Sequence, residues 1–287
     1  VALSTTPSVI RRYIAFELKR LRETAGMHQS VVAKRLDTSS GRVGHFETGR
    51  SLPKLLEIDV LLPLYGVPEM VDGFRELVMQ ARTGPAVFVP EESMNLSPGF
   101  DLYLGLEQGA SRIFTYDAMT VMGILQCRAY AEALVRGDSK SMHKAEVRKW
   151  LDLRMQRQEA LCRDESPLEV FSVIDEAVLH RQIGGPPVLR QQLDHLLELA
   201  KRPNVTLRVL PYDAGVHPAL HGPFIKLDFP IERDPGVVYL EDWIGGRYRD
   251  DVDEIDQYAE LRNRLVELAL SEADSISRIR KVRNEWR

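Results

Sequence analysis

The chain has 287 residues, 44% hydrophobic and 28% charged, a balance that fits an ordinary globular protein of one large or two smaller domains. It contains no run of about 18 apolar residues and no basic-then-apolar leader at its start, so no membrane span is expected. Two cysteines, Cys127 and Cys162, with no CxxC pair, argue against a disulfide framework or a zinc site and fit a reducing, cytoplasmic setting.

The net charge of −4 is unevenly spread. Residues 1–54 carry 10 basic and 4 acidic side chains, a balance of +6, and the remaining residues carry −10. A positive field confined to the first fifth of the chain marks that segment as the one to meet an anionic partner.

Ile10, Ile14, Leu18 and Leu21 recur at helical spacing and predict a helix over about 8–24, ended by Gly26. A second helix is expected over about 28–35, with Val32, Ala33 and Leu36 turned inward. A tight turn follows at Asp37, a residue that tolerates positive φ. Thr38 or Ser39 then caps a third helix, about 39–47, whose inward residues are Val43 and Phe46. Gly49 stops that helix, and Pro53 suits the first turn of a fourth, lined by Leu55, Ile58 and Leu62 and ended or kinked by Pro63. Pro68 opens a fifth helix to about 82, with Met70, Phe74, Leu77 and Ala81 inward.

The two short helices around Asp37 read as a helix-turn-helix. The second of them is short, polar and amphipathic, a form that fits a major groove about 12 Å wide. The expected ligand is therefore duplex DNA. Gly41 and Gly44 lie inside that helix and each costs about 1 kcal/mol of helix stability relative to Ala.

Residues 83–99 hold three prolines and two glycines and read as a linker between a domain at 1–82 and one at 100–287. Helices are expected at about 100–116, 125–136 and 141–163. Short β-prone runs follow at Val170–Ile174, Val205–Pro211, Phe224–Phe229 and Val237–Leu240, with a helix at about 187–201 between the first two. Helices at about 251–270 and 272–285 close the chain. The expected fold is mainly α: a five-helix amino-terminal domain, then an α+β domain with a small sheet covered by helices.

The second domain offers little patterned chemistry. His217 and His221 are four apart, but Pro218, Gly222 and Pro223 oppose a helix there, so no metal site is expected. Asp175 and Glu176 with His180 could be drawn as an acid–base set, yet the carboxylates more simply end a strand and favour a helix N-terminus. Glu241 and Asp242 beside Trp243 read as loop carboxylates with a packed Trp. Lys144, Arg148 and Arg154 read as a solvated helix face. No nucleophile elbow, phosphate-cradling loop or HExxH is present, so neither enzymatic activity nor a cofactor is expected. The apolar cluster Phe114–Leu125, rich in Met, is mostly core, and an exposed remnant of it would suit a pocket for a partner or effector.

The stretch Gln29–Gly49, with Ala33, Val43 and the close Glu47-Thr48-Gly49-Arg50, resembles the Xre-type regulators, the family of the lambdoid phage repressors and Cro. The resemblance implies that Gln29 contacts phosphate and steadies the next side chain, and that Ser39, Ser40, Gly41 and His45 face the groove. Arg42 would reach a phosphate or a guanine edge, and Arg50 would clamp phosphate. It also implies a largely buried structural salt bridge between Arg22 and Glu47. Segments such as Val173-Ile-Asp-Glu-Ala-Val-Leu179, Gln192-Leu-x-His-Leu and Val209-Leu-Pro-Tyr212 resemble the domain of unknown function that follows this motif in many actinobacterial regulators, some of them antitoxin-like. The expected function is a transcriptional regulator whose second domain receives a signal from a protein partner or small molecule; a monomeric head makes few base contacts, so a homodimer on two half-sites is expected. The alternative that the resemblance implies is an antitoxin-like protein that binds a small acidic partner encoded nearby.

Overall fold

In a computed structural model of the chain, residues 7–83, 100–138 and 142–286 are described. The proposed linker, Thr83 apart, falls outside them. The chain divides into two compact units. Among the described residues no helix is long and apolar enough to cross a membrane.

The first unit is built on α1 (Pro7–Thr24), α2 (Gln29–Arg35), α3 (Ser40–Glu47), α4 (Leu55–Leu64) and α5 (Val71–Thr83), the last preceded by a single 3₁₀ turn at Pro68–Met70. One core joins all five: Ile14 and Leu18 of α1 meet Val32, Phe46, Ile58 and Phe74. These are the stripes read from the sequence, and burying them is what holds helices of seven to ten residues, too short to persist alone. Asp37 takes φ 51° at the turn, and Gly49, at φ 70°, ends α3. Pro53 departs from its expected place: it is buried just ahead of Lys54, the residue that precedes α4. Pro63 lies within the last turn of α4, which stops one residue later.

The second unit centres on a six-stranded mixed sheet, larger than the four runs expected. Its strands are β1 (Arg112–Asp117), β2 (Glu169–Asp175), β3 (Val205–Leu210), β4 (Phe224–Asp228), β5 (Val237–Glu241) and β6 (Gly246–Arg249), in the order β3-β2-β1-β4-β5-β6. β1, β2 and β3 run parallel; β4, β5 and β6 continue as an antiparallel meander from the other side of β1. The crossovers carry α7 (Arg128–Asp138) and α8 (Lys144–Arg157) between β1 and β2, then α9 (Glu176–His180) and α10 (Pro186–Leu199) between β2 and β3. α11 (Val252–Leu268) and α12 (Glu272–Glu285) follow the meander, and α6 (Phe100–Gly109) precedes β1.

The helix expected over 100–116 is corrected by β1. α6 stops at Gly109, and Arg-Ile-Phe-Thr-Tyr-Asp becomes the central strand, buried at five of its six positions. A strand covered on both faces has no polar alternation to reveal it. On one face, Phe114 and Tyr116 pack with Val173, Phe224 and Val238 against Ile255 and Leu265 of α11.

Polar residues of the segments 173–179 and 192–196 tie the sheet to its helices. Gln192, fully buried, accepts from Cys127 N at 2.7 Å and donates to Leu125 O at 2.8 Å, closing the loop after β1 onto α10. Asp175 caps α9 by accepting from Ala177 N at 2.9 Å. Glu176 accepts from Tyr212 N at 2.9 Å and pairs with Arg278. These carboxylates act as the helix-end groups expected of them.

Candidate nucleic-acid interface and a cavity in the second unit

α3 is held as a cap-and-core element. Ser39 Oγ accepts from Arg42 N at 3.3 Å, while Val43 and Phe46 are buried. The opposite side presents Ser39, Ser40, Gly41 and His45, all exposed, with Arg42 half-buried at its margin. Lys34 and Arg35 at the end of α2, and Arg50 past α3, are exposed as well. The residues singled out for the groove are thus gathered on one surface.

Beneath that surface Arg22 and Glu47 form a two-pronged ion pair, Nε to Oε1 at 2.6 Å and Nη2 to Oε2 at 3.0 Å, with both side chains buried. Arg22 Nη1 also donates to Met27 O at 2.7 Å, and Gln29 Nε2 donates to Glu47 Oε2 at 2.7 Å. Charge and hydrogen-bond capacity are therefore satisfied together, which a buried pair requires. The bond to Glu47 holds the Arg22 pKa above its ordinary value. Burial, then the nearby Glu47 charge, raises the Tyr65 phenol. The cluster locks α1, α2 and α3 in one geometry. Gln29, for which the resemblance implies a phosphate contact, has its amide turned to Glu47 here.

Arg42 is also engaged within the unit. Its Nη2 lies 3.0 Å from Glu57 Oε1, and its guanidinium sits 5.3 Å from the Phe46 ring centre. Glu57 in turn accepts from Lys54 N at 2.6 Å, closing the first turn of α4. Glu57 escaped the sequence reading. The available signal was its position three residues after Lys54, the spacing of a reciprocal cap.

The second unit contains a cavity of about 440 Å³ at the carboxyl end of β1, where Asp117 gives way to the loop 118–123. That volume falls in the ordinary range for small-molecule sites, and the ends of parallel strands are where open α/β sheets leave such crevices. Asp117 lies at its floor, its oxygens accepting from Thr115 Oγ1 at 2.8 Å and Ser172 Oγ at 2.9 Å. Complete burial pushes its pKa up to about 6 against those bonds. Met119, exposed, and Met122, buried, both line the space.

α8 supplies the cationic wall. Arg154, read as solvated, is half-buried and donates from Nη1 to Gln126 Oε1 at 2.7 Å. Arg157, one turn on, lies 5.7 Å from the Phe100 ring centre and 5.6 Å from that of Tyr103. A Cβ on Gly123 would stand 3.1 Å from its guanidinium, so the glycine leaves room for this placement. Trp243 is also corrected: it is fully exposed, with Ile244, at the tip of the β5–β6 hairpin rather than packed. Residues 217–221 form turns, not a helix, so the two histidines do not share a helical face.

A family model described as "Domain of unknown function (DUF5753)" matches residues 100–281, well over half of the chain. A second, described as "Helix-turn-helix domain", matches residues 14–72. No curated protein and no solved structure matches the chain.

Proposed function

We propose that this chain, which belongs to the DUF5753 family, is a sequence-specific transcriptional regulator that acts as a homodimer and receives its signal through the second unit. The helix-turn-helix domain supports DNA binding by the first unit. The observation that carries the reading is the sidedness of α3: Val43 and Phe46 in the core, Ser39, Ser40, Gly41 and His45 in solvent, within a segment carrying +6. In this reading α3 lies in the major groove, Arg50 binds phosphate and Arg42 moves from Glu57 to the DNA. Few groups on α3 reach base edges, so specificity requires two half-sites about one helical turn apart. The cavity beside Asp117 supports a sensing role for the second unit.

Footprinting of the full chain on fragments of its own genome tests this. The expected result is protection of two half-sites, with affinity falling steeply as salt rises. Absence of binding to any duplex at low ionic strength would overturn it.

One observation favours the antitoxin-like reading as well. Trp243 and Ile244 stand fully out of the sheet on a turn fixed by Asp242, which accepts from Ile244 N at 2.8 Å. A rigid exposed Trp is an anchor of the kind protein partners bury. Co-purification with a small acidic protein, lost in Trp243→Ser, would favour that reading.

A further inference from the structure

We propose that the cavity at the end of β1 is a binding site for a small, neutral, largely apolar molecule that carries an aromatic ring. Naming that molecule an effector rests on the sensing reading above; the occupancy itself does not.

The charges of the lining carry the neutral part of the inference. Two cations, Arg154 and Arg157, and two carboxylates, Asp117 and Glu241, border the space, so their formal charges sum to zero. Each is engaged before any ligand arrives. Asp117 has its oxygens on Thr115, Ser172 and the backbone N–H of Met122. Arg154 donates to Gln126, whose own Nε2 donates to Val121 O at 2.6 Å. Arg157 lies over the Phe100 and Tyr103 rings, and Glu241 accepts from the Tyr239 hydroxyl. None of Arg154, Arg157 and Glu241 lacks a partner. An ion entering the space would either break one of these contacts or lose water without gaining a counter-charge, and a neutral molecule does neither.

The rings carry the rest. Thr115 stands opposite Ile225 and Ile225 opposite Tyr239, so the three form one row on the cavity side of the sheet. From Tyr239 an array of rings leads away from the strands. Tyr103 lies at 4.5 Å between centres, Phe100 at 5.5 Å from Tyr103, and Trp150 at 6.3 Å from Phe100. Tyr239 and Tyr103 are buried, whereas Phe100 and Trp150, farthest from the sheet, are only half-buried. Leu134, Val135 and Met142 border the same space and are half-buried too. An array that ends beside open space offers a further ring the offset or tilted contact that aromatic pairs prefer. The thioethers of Met119, Met122 and Met142 can adapt to its outline.

N-Phenyl-1-naphthylamine, a neutral ring probe, is titrated against the full chain without DNA and followed by its own fluorescence. One saturable site is expected. Competitors that share a naphthalene body then report on charge: 1-naphthalenemethanol is neutral, 1-naphthaleneacetate anionic and 1-naphthylmethylammonium cationic. The alcohol should displace the probe at a concentration at least about tenfold below either ion, the penalty of a charge that enters without a partner. Ile225→Trp, which fills the cavity from the sheet, should abolish saturable binding. Met119→Trp, at an exposed position that leaves the core intact, should weaken the probe about fivefold or more by crowding the mouth, and it decides the location if Ile225→Trp does not fold. An ion that competes as well as the alcohol would overturn the neutral preference. Failure to saturate at one site, or indifference to the Trp variants, would overturn the site. A chain that binds the probe yet holds DNA equally well with or without it refutes the sensing reading alone. One that binds DNA but not the probe refutes this proposal alone.

Discussion

Arg22–Glu47 and Arg42–Glu57 are the same chemical pair on two sides of one eight-residue helix. The first has side chains 9% and 3% exposed, with further bonds to Met27 O and from Gln29. The second is 41% and 17% exposed and leans on the Phe46 ring. Buried, the pair is costly to disturb, because either partner left alone is an unsolvated charge. Near water, the same pair is worth about 0–1 kcal/mol and can open without disturbing the fold. One pair therefore sets where α3 lies, and the other leaves a cation on its outward side available to change partners.

The largest expected effect comes from breaking the buried pair. Glu47→Ala should destabilise the first unit by about 3–5 kcal/mol, since Arg22 would stay buried without its counter-charge. Amide hydrogen exchange reads this by unit: protection in α1 to α5 should fall while the sheet amides keep theirs. Unchanged protection would mean that Arg22 finds water or another carboxylate, and the contrast between the pairs would fail.

Asp117 sharpens the comparison, being a buried carboxylate with hydroxyl donors around it but no cation among the causes of its shift. Its pKa stands at about 6 in the folded chain against 3.8 as its ordinary value. A raised folded pKa means that the native state binds the proton more tightly. This group's favourable contribution is thus complete below about pH 4 and lost as pH rises through about 6. Asp117→Asn removes that dependence. The variant's stability relative to the parent should therefore improve by about 2–3 kcal/mol between pH 4 and pH 7, as two pK units imply. Urea midpoints at the two pH values measure it; parallel pH profiles would show that the hydroxyl donors fully compensate for burial.

How much of this was legible in the sequence follows from how local each feature is. The first unit's helices announce themselves because their buried residues recur every three or four positions and their ends carry Asp37 and Gly49. The residues of α3 that the resemblance singled out for a groove fall on the outward side of that phase. Arg42's partner did not follow from it, because Glu57 lies on another helix, fifteen residues on. β1 was hidden by burial on both faces, and β6, Gly-Arg-Tyr-Arg, by having no apolar run. A charged, half-exposed edge strand carries the polar signal of a loop. Arg154 read as solvated, and Arg157 went unnoticed, because the packing of α8 against Gln126, Phe100 and Gly123 is tertiary. Trp243 went wrong in the opposite direction: a Trp invites a core, but a four-residue hairpin tip has none to offer.

The glycines of α3 test whether its outward side is kept loose. Neither has a positive φ. A Cβ at Gly41 would find its nearest neighbour, Ser39 Oγ, at 3.9 Å, and one at Gly44 would meet the Gln29 amide at 3.7 Å. Both spaces accept a methyl group. Gly41→Ala and Gly44→Ala should each stabilise the first unit by about 1 kcal/mol, read as a rise in the denaturation midpoint. A fall at Gly44 would show that the Gln29–Glu47 bond depends on that closeness.

The smallest effect on stability belongs to the exposed pair, and there the consequence for DNA is what matters. Glu57→Gln keeps an oxygen for Lys54 N but ends the charge attraction on Arg42, so stability should change by less than about 1 kcal/mol. On the proposed binding mode Arg42 no longer has to leave an ion pair, and one negative charge beside the phosphates is gone. Affinity for an operator fragment should rise up to about fivefold, the equivalent of that same 1 kcal/mol. The gain should disappear in the double variant Arg42→Ala, Glu57→Gln if it is Arg42 that DNA captures. A gain that survives Arg42→Ala would instead come from the lost carboxylate acting at a distance, and would fade with added salt as exposed charges do. Fluorescence anisotropy of the four proteins at two salt concentrations separates these outcomes, and no change in any of them would leave Arg42 as a brace between α3 and α4 with no part in reading DNA.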